Sequence, residues 1–224
     1  MRLLSIVNTR QVYDWVFNIY VPIAIGVFVL FVVLIVGAVF IYRRRDKAAR
    51  WHENNLLEGS YAVLLTLVAA FLLYITFTGE HREDLITNNA SVSRHDTLER
   101  PAVTIDVTAS RWEWTFTYPG HTISHQSGAV GHQPLVVPAR EPIRFNLRSD
   151  DVIHSFWIPY LKYKHDAIAG SVQSVTLYFD RSGTFSGSCA EYCGLLHSYM
   201  VFTVQALPAS RFRTWLSSDG RTST

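Results

Sequence analysis

Two long apolar runs without a charged residue occupy much of the first eighty positions of the chain. The first covers residues 21–42 and the second covers residues 59–79. A helix of about 20 residues rises about 30 Å, which is the thickness of the hydrocarbon core of a bilayer. We therefore predict two transmembrane helices, preceded by an N-terminal segment over residues 1–20.

Two other interpretations of the runs are a cleaved signal peptide for the first and a buried core helix for the second. The apolar region of a signal peptide is usually shorter and is followed by small residues at a cleavage site. Here the first run ends in Arg43, Arg44 and Arg45. That ending is typical of a stop-transfer segment, so we favour two membrane spans.

The charges around the two runs predict an orientation. The loop over residues 43–58 contains five basic residues, which are Arg43, Arg44, Arg45, Lys47 and Arg50. Loops rich in Lys and Arg remain on the cytoplasmic side. We therefore expect a cytoplasmic loop, with both termini and all residues from 80 onward outside the cell.

The overall charge excludes one class of function. The chain has 224 residues, with 20 Lys and Arg against 18 Asp and Glu, for a net charge of +2. A protein that binds nucleic acid usually presents a basic face to the phosphates. A near-neutral chain of this kind is not expected to bind nucleic acid.

The region after the second run has the periodicity of β-strands. A polar linker over residues 80–101 precedes Val103, Ile105 and Val107, which alternate with polar residues, and aromatic and polar residues alternate over 111–118. Further strands are predicted at 135–138, 143–148, 152–158, 172–180, 183–187 and 200–207. We predict an antiparallel sandwich or Greek-key barrel over residues 102–207, followed by a short helix within 208–224.

The only two cysteines lie in a motif with metal-ligand character. Cys189 and Cys193 are followed by His197 and Met200. Thiolate, imidazole and thioether ligands suit copper, whereas zinc prefers four Cys or His ligands and would gain little from Met200. A Cys189–Cys193 disulfide is also compatible with an external compartment, but it leaves the spacing of the other two residues unexplained.

A further nitrogen ligand is expected, and His154 is the best candidate among nine histidines. It lies in an apolar run, where a lone histidine is usually a hydrogen-bonded core residue. The Cys/His/Met motif favours the ligand interpretation here. Glu58, directly before the second run, is by physics alone a solvated anchor, although an ionisable group at the edge of a span can also mark a proton path.

The pattern Cys-x-Glu-x-Cys-x3-His-x2-Met over residues 189–200, with His154 and two apolar runs before it, resembles the subunit II family of cytochrome c oxidases, in the haem-copper oxidase superfamily. The resemblance implies a two-helix transmembrane hairpin followed by an all-β cupredoxin-like Greek-key barrel, in the plasma membrane of a bacterium or archaeon. It also implies a binuclear copper centre, CuA, that accepts electrons from a c-type cytochrome. The electrons then pass to the haem centres of subunit I, where oxygen is reduced to water and protons are translocated.

The resemblance also implies roles for individual residues. Two thiolates bridge the copper ions, and each ion has one histidine and one weak ligand. In this scheme Cys189 and Cys193 are the two bridging residues. His154 and Met200 bind one copper ion, and His197 and the carbonyl oxygen of Glu191 bind the other. The Glu191 carboxylate is implied to bind a magnesium ion shared with subunit I.

The resemblance also carries over to two further positions. Trp112 matches the aromatic position where electrons from cytochrome c enter, although its residue type alone would favour a core or interface role. Glu58 matches a carboxylate at the mouth of a proton channel into subunit I. The residues that follow it, Gly59 to Tyr61, depart from the aliphatic pair and Trp that are common in the family.

Three related functions fit less well. A quinol-oxidase subunit of this type lacks the copper ligands, a copper chaperone needs neither two spans nor Trp112, and nitrous oxide reductase is a larger soluble enzyme with a propeller domain. The donor is open, because no Asp or Glu occurs between Trp114 and Arg140. Asp150 and Asp151 could still form part of an acidic docking patch, and a less basic or membrane-tethered cytochrome is the alternative.

Overall fold

Two long helices form the first part of the fold. A computed structural model describes residues 9–43, 54–88 and 101–220, with α1 at Thr9–Tyr42 and α2 at Asn55–Asn88. The side-chain amide oxygen of Asn54 accepts a hydrogen bond from the backbone N–H of Leu57, which caps the start of α2. Within the described residues, both helices are long and apolar enough to cross a membrane.

Polar contacts join α1 to α2 within this helical unit. The hydroxyl of Tyr20 donates to the backbone carbonyl of Leu72 at 2.8 Å and also contacts the Thr76 hydroxyl. The side chain of Val16 lies so close to Gly79 that a Cβ there would come within 2.9 Å of it. Most of the remaining large apolar side chains on both helices are exposed, as expected for surfaces that face lipid.

Both helices are longer than the apolar runs predict. Residues 9–20 are helical and belong to α1, the end of the predicted 43–58 loop belongs to α2, and α2 continues through residues 80–88 of the predicted linker. A helix does not need apolar side chains to continue into water, and residues such as Glu80 and Arg82 favour helix. Residues 44–53 and 89–100, which hold most of the basic loop and the rest of the linker, lie outside the described residues, as do 1–8 and 221–224.

The second part of the fold is a domain of two five-stranded sheets. The strands are β1 (Val103–Ser110), β2 (Glu113–Thr117), β3 (Ser124–Gly128), β4 (Leu135–Ala139), β5 (Pro142–Ser149), β6 (His154–Ile158), β7 (Tyr163–Ala167), β8 (Gln173–Tyr178), β9 (Gly183–Cys189) and β10 (Val201–Pro208). The strand orders are β3-β2-β1-β5-β8 and β4-β10-β9-β6-β7. The predicted C-terminal helix is present as α3 (Ala209–Ser217).

Strand pairing departs from the antiparallel prediction at two places. β1 pairs with β5 in parallel, and β4 pairs with β10 in parallel, while the other pairs of named strands are antiparallel. Periodicity shows which residues face the core but carries no information about the direction of a neighbouring strand. Whether two neighbouring strands are parallel depends on the path of the connections between them, and that path is a property of the tertiary structure.

Aromatic side chains fill the space between the sheets. The alternation in β2 buries Trp114 and Phe116 completely. Phe156 from β6 stacks on Phe202 from β10 with ring centroids 5.0 Å apart, and Trp114 meets both rings edge-on. Burial of rings of this size supplies much of the hydrophobic stabilisation of a domain.

Two strands were missed by the sequence analysis, and both lie at sheet edges. β3 reads Ser-His-Gln-Ser-Gly and β7 reads Tyr-Lys-His-Asp-Ala. An edge strand packs less of its surface against the core, and polar or charged residues protect it from pairing with another chain. Neither segment therefore has the apolar alternation that predicts a strand.

Candidate metal centre

Three neighbouring strands bring the predicted ligands to one end of the second sheet. His154 is the first residue of β6, Cys189 is the last of β9, and Met200 directly precedes β10. The backbone N–H of Cys189 donates to the carbonyl of Met200 at 2.9 Å, which closes the ligand loop, defined here as residues 190–200. Adjacent strand ends therefore hold residues that are far apart in sequence.

The donor atoms of all six predicted copper-binding residues lie close together. The two Sγ atoms are 3.9 Å apart, Nδ1 of His154 lies 3.8 Å from Sγ of Cys189, and Nδ1 of His197 lies 3.3 Å from Sγ of Cys193. The Met200 Sδ lies 3.8 Å from Sγ of Cys193, and the carbonyl oxygen of Glu191 lies 3.2 Å from Sγ of Cys189. Each of the four remaining donors, two imidazole nitrogens and two weak donors, therefore lies within 3.8 Å of one of the two sulfurs.

The two cysteines are free thiols in this structure. Their Sγ separation of 3.9 Å is far longer than the ~2.05 Å of a disulfide bond. Both side chains are buried, and His154 and Met200 are fully buried beside them. Two thiolates, two imidazoles and a thioether suit copper better than a tetrahedral zinc ion, which would leave donors unused.

Gly194 shapes the ligand loop next to Trp112. Its φ of +116° is in the region that favours glycine, and a Cβ there would lie 3.3 Å from Nε1 of Trp112. The indole Nε1–H of Trp112 donates to the carbonyl of Cys193 at 3.2 Å. The half-buried ring of Trp112 is therefore hydrogen-bonded directly to the backbone of a predicted copper ligand.

Asp151 orients the ring of His154. The sequence analysis did not predict this role of Asp151. Its Oδ1 lies 2.9 Å from Nε2 of His154 and accepts a bond from the N–H of Val152, while its Oδ2 accepts bonds from the backbone N–H and Nε of Arg111. These contacts occupy the carboxylate, so Asp151 is not an available charge in an acidic docking patch. The Asp-x-x-His spacing was the signal that could have indicated this role.

Hydrogen bonding shifts the pKa values of this pair. At Asp151 burial raises the pKa, but bonds from His154, Val152 and Arg111 outweigh it and hold the pKa well below its usual range. At His154 burial lowers the pKa, but hydrogen bonds with Cys189 and Asp151 outweigh it and raise the pKa. The metal-free site therefore favours a charged carboxylate beside the imidazole.

The two thiols differ in acidity. Burial raises the pKa of Cys193 to about 12, and the neighbouring sulfur of Cys189 adds to the rise. At Cys189 burial also raises the pKa, but hydrogen bonds, first with His154, outweigh it and lower the pKa. Cys189 therefore loses its proton more readily than Cys193, and thiolate is the form that binds metal.

Glu191 contributes its backbone carbonyl to this site, and Glu58 belongs to the helical unit of the fold. The Glu191 side chain is exposed and borders a depression that is also lined by Lys164, His165, Asp166, Ile168 and Gln173. Glu58 is exposed in the first turn of α2. The magnesium and proton-channel roles of these two carboxylates stay predictions.

Comparison with known proteins identifies the relatives of this site. Residues 123–207 match the family described as cytochrome C oxidase subunit II, periplasmic domain. Over these residues the chain carries the periplasmic domain of the cytochrome c oxidase subunit II family. The matched segment contains His154 and the whole ligand loop. Together with the two apolar helices, it indicates a membrane protein whose C-terminal domain lies outside.

Similar proteins carry the same family name. The chain is 31% identical to the cytochrome c oxidase subunit 2 of Bacillus sp. (strain PS3), over 78% of this chain and 49% of that protein. It is 26% identical to the probable cytochrome c oxidase subunit 2 of Rickettsia bellii, over 92% of this chain and 77% of that protein. The chain therefore spans about half the length of one of these subunit II relatives and about three quarters of the other.

A solved structure has the same fold as the β domain. The crystal structure of the periplasmic domain of subunit II of cytochrome oxidase (CoxB) of Bradyrhizobium japonicum matches with a TM-score of 0.50 and 28% identity, over 54% of this chain and 94% of that chain. The predicted fold class, two apolar helices followed by an all-β cupredoxin-like domain, is confirmed.

Proposed function

We propose that this chain is the subunit of a proton-translocating cytochrome c oxidase that receives electrons through a binuclear CuA centre. It accepts single electrons from a c-type cytochrome and passes them to the haem centres of subunit I, where oxygen is reduced to water. The observation that carries the proposal is the convergence of four donor groups around two unbonded thiols 3.9 Å apart. The match of residues 123–207 to the subunit II domain family supports the same function.

In this proposal each ligand has a distinct task. Cys189 and Cys193 would be shared by the two copper ions, His154 and Met200 would hold one of them, and His197 with the Glu191 carbonyl would hold the other. A bound copper pair would supply a one-electron carrier. The buried cage holds its ligands in place through the strand ends, so they rearrange little when an electron arrives.

The surroundings of the ligands influence the redox potential. Met200 and the Glu191 carbonyl are weak donors, and such groups tune the potential of copper sites. Trp114 is fully buried, meets the His154 ring edge-on and donates from Nε1 to the Met200 carbonyl at 3.4 Å. These contacts exclude water and fix the orientation of both ligands.

Trp112 is the proposed site where electrons enter. It is half-buried, so one part of its indole is accessible to a partner while Nε1 is bonded to the Cys193 carbonyl. This is a short covalent and hydrogen-bonded route from the protein surface to a bridging sulfur. We assign Trp112 to electron entry on this contact.

The proposal is tested by copper reconstitution of the full chain in detergent. We expect two copper ions per chain, a purple colour and an EPR signal from one unpaired electron shared by two copper nuclei. Cys193→Ser is the matched variant, because it removes one bridging sulfur and changes little else in size. A colourless protein with one copper per chain, after reconstitution under reducing conditions, would contradict the proposal.

The remaining proposed features concern the assembly. We propose that the 43–58 loop is cytoplasmic, that the Glu191 carboxylate binds a magnesium ion shared with subunit I, and that Glu58 lies at the mouth of a proton channel. The positive-inside rule supports the first, and family resemblance supports the other two. In the assembled oxidase, Glu58→Gln should slow proton uptake while copper content is retained, and unchanged turnover and pumping would exclude the channel role.

A further inference from the structure

Large apolar side chains are exposed on the loops that meet at the metal centre. We call five of them the apolar rim: Val130, Ile153, Tyr192, Leu195 and Tyr199. Leu195 is 85% exposed and Val130 is 82% exposed. Exposed apolar groups of this size near a functional site usually mark a surface that binds a partner.

The apolar rim is tied to the ligands by short chain segments. Tyr192, Leu195 and Tyr199 belong to the ligand loop, and the Tyr192 ring lies 5.8 Å from the His197 ring. Ile153 directly precedes His154. Val130 follows Ala129, whose backbone N–H donates to the Trp112 carbonyl at 3.0 Å.

Charges on the same loops are largely occupied by contacts within the chain. Arg111 forms an ion pair with Asp151, whose other oxygen faces His154. The Glu113 carboxylate accepts a bond from the backbone N–H of Gly131 at 2.9 Å. The surface that surrounds Trp112 is therefore apolar and weakly charged, and Asp150 and Glu191 are the exposed carboxylates on its described loops.

The Glu191 carboxylate leaves the surface around Trp112 weakly charged. It borders the depression shared with Lys164 and Asp166, where a cation and another anion lie nearby. A partner that presents a ring of lysines would therefore meet few free carboxylates at the apolar rim. Steering by opposite charges, which speeds association and makes it dependent on salt, has little basis on this surface.

We propose that the apolar rim is the docking surface for the electron donor, and that this donor is a c-type cytochrome whose exposed haem edge is surrounded by apolar, weakly charged residues. The inference rests on the proposed function and adds the chemistry of the partner. Apolar burial supplies the affinity in this complex, and Leu195 and Val130 are its most exposed contacts. Association is then limited by orientation and depends little on ionic strength.

The test uses the full chain, loaded with copper in detergent, and two reduced donors in stopped-flow measurements. One donor is a cytochrome c with a ring of lysines around its haem edge, and the other has an apolar, nearly uncharged edge. For the apolar donor we expect the second-order rate constant to change by less than about twofold between low and physiological salt. We also expect this donor to react faster than the lysine-rich donor at physiological salt.

Two serine variants identify the surface. Leu195→Ser and Val130→Ser should each lower the rate constant and the affinity for the oxidised apolar donor by about tenfold, because each removes an apolar contact. Val172→Ser is the matched control, since Val172 is also exposed but lies outside these loops, and it should have no effect. Copper content and reduction by ascorbate should be the same in all variants.

A charge variant reverses the selectivity. Leu195→Glu should accelerate the reaction with the lysine-rich donor at low salt and introduce a salt dependence that the parent protein lacks. A parent rate constant that falls tenfold or more with salt, or serine variants that match the parent, would overturn the inference while leaving the copper function intact. Failure to bind copper would overturn both, and dimerisation that Leu195→Ser abolishes would assign the apolar rim to a second copy of this chain instead.

Discussion

The carboxylate of Asp151 accepts a hydrogen bond from Nε2 of His154 at 2.9 Å. An ionised carboxylate can only accept, so Nε2 carries a proton, and in the neutral imidazole the lone pair is therefore on Nδ1. That nitrogen faces Cys189 and the centre of the site. A residue outside the ligand motif therefore selects the tautomer that can bind a metal.

Asp151→Asn should weaken the site. The side-chain amide of asparagine has no charge and only one acceptor oxygen, whereas the Asp151 carboxylate offers two oxygens to its hydrogen-bond donors. The orientation of His154 is therefore lost in part. We expect copper affinity to fall about 10- to 100-fold, measured by competition with a chelator. Asp150→Asn is the control, because Asp150 is an exposed neighbour, and an equal loss in both variants would exclude the positioning role.

The same carboxylate should make stability depend on pH. The pKa of Asp151 is lowered in the folded domain, so its stabilising effect is present above the unfolded value of about 3.9 and is lost as pH falls below it. Asp151→Asn should therefore lower the free energy of unfolding by about 1–3 kcal/mol at pH 7 and by less at pH 3. Chemical denaturation of the metal-free protein at both pH values measures this, and an equal loss at the two values would contradict it.

Met200→Leu should retain copper but raise its redox potential. The thioether donates electron density to the metal, so its removal favours the reduced state. Leucine fills a similar volume in this fully buried position, and the free energy of unfolding should change by less than about 1.5 kcal/mol. Redox titration of the visible spectrum measures the potential. Leu147→Met is the buried control, and an unchanged potential in Met200→Leu would exclude Met200 as a weak copper ligand.

Copper binding should release protons and strengthen as pH rises. The pKa of Cys193 is about 12 in the metal-free site, so its thiol is protonated at pH 7 and must lose that proton to bind metal. Apparent affinity should increase about tenfold per pH unit for each proton released. A pH indicator in weakly buffered solution detects the protons directly, and an affinity that is constant from pH 6 to 9 would contradict this prediction.

Trp112→Phe should slow electron transfer from the donor without disturbing the copper centre. Phenylalanine keeps a ring next to Gly194 but lacks the N–H that bonds to the Cys193 carbonyl. The rate from a reduced cytochrome should fall at least tenfold, while copper content and reduction by ascorbate remain unchanged. Trp157→Phe, at another partly exposed tryptophan, is the control, and equal effects of the two changes would exclude the assigned role.

Sequence periodicity predicted the strands that pack against the core. β2 alternates Trp114 and Phe116 with polar residues, and the structure buries both rings. The edge strands β3 and β7 were missed because their residues remain polar. The parallel pairing of β1 with β5 was also missed, since alternation does not encode strand direction.

The ligand motif was predictable because the metal needs particular atoms at particular spacings. Cys189, Cys193, His197 and Met200 lie within twelve consecutive residues, so the sequence displays them together. His154 lies on a different strand, and only its chemistry and the family resemblance indicated it. Asp151 was interpreted as a possible docking charge, because hydrogen-bond partners are not visible in a linear sequence.

The sequence alone determined that this chain has two segments apolar enough for a membrane and one loop with the soft donors that copper prefers. These properties depend on residue type and local spacing, which folding does not change. Tertiary structure decided which residues surround the loop: the strand ends bring His154 to the thiols, and Asp151 then orients its ring. The tertiary structure also decided that the charges near Trp112 are paired within the chain, because pairing requires contacts between segments about 40 residues apart, as for Arg111 and Asp151.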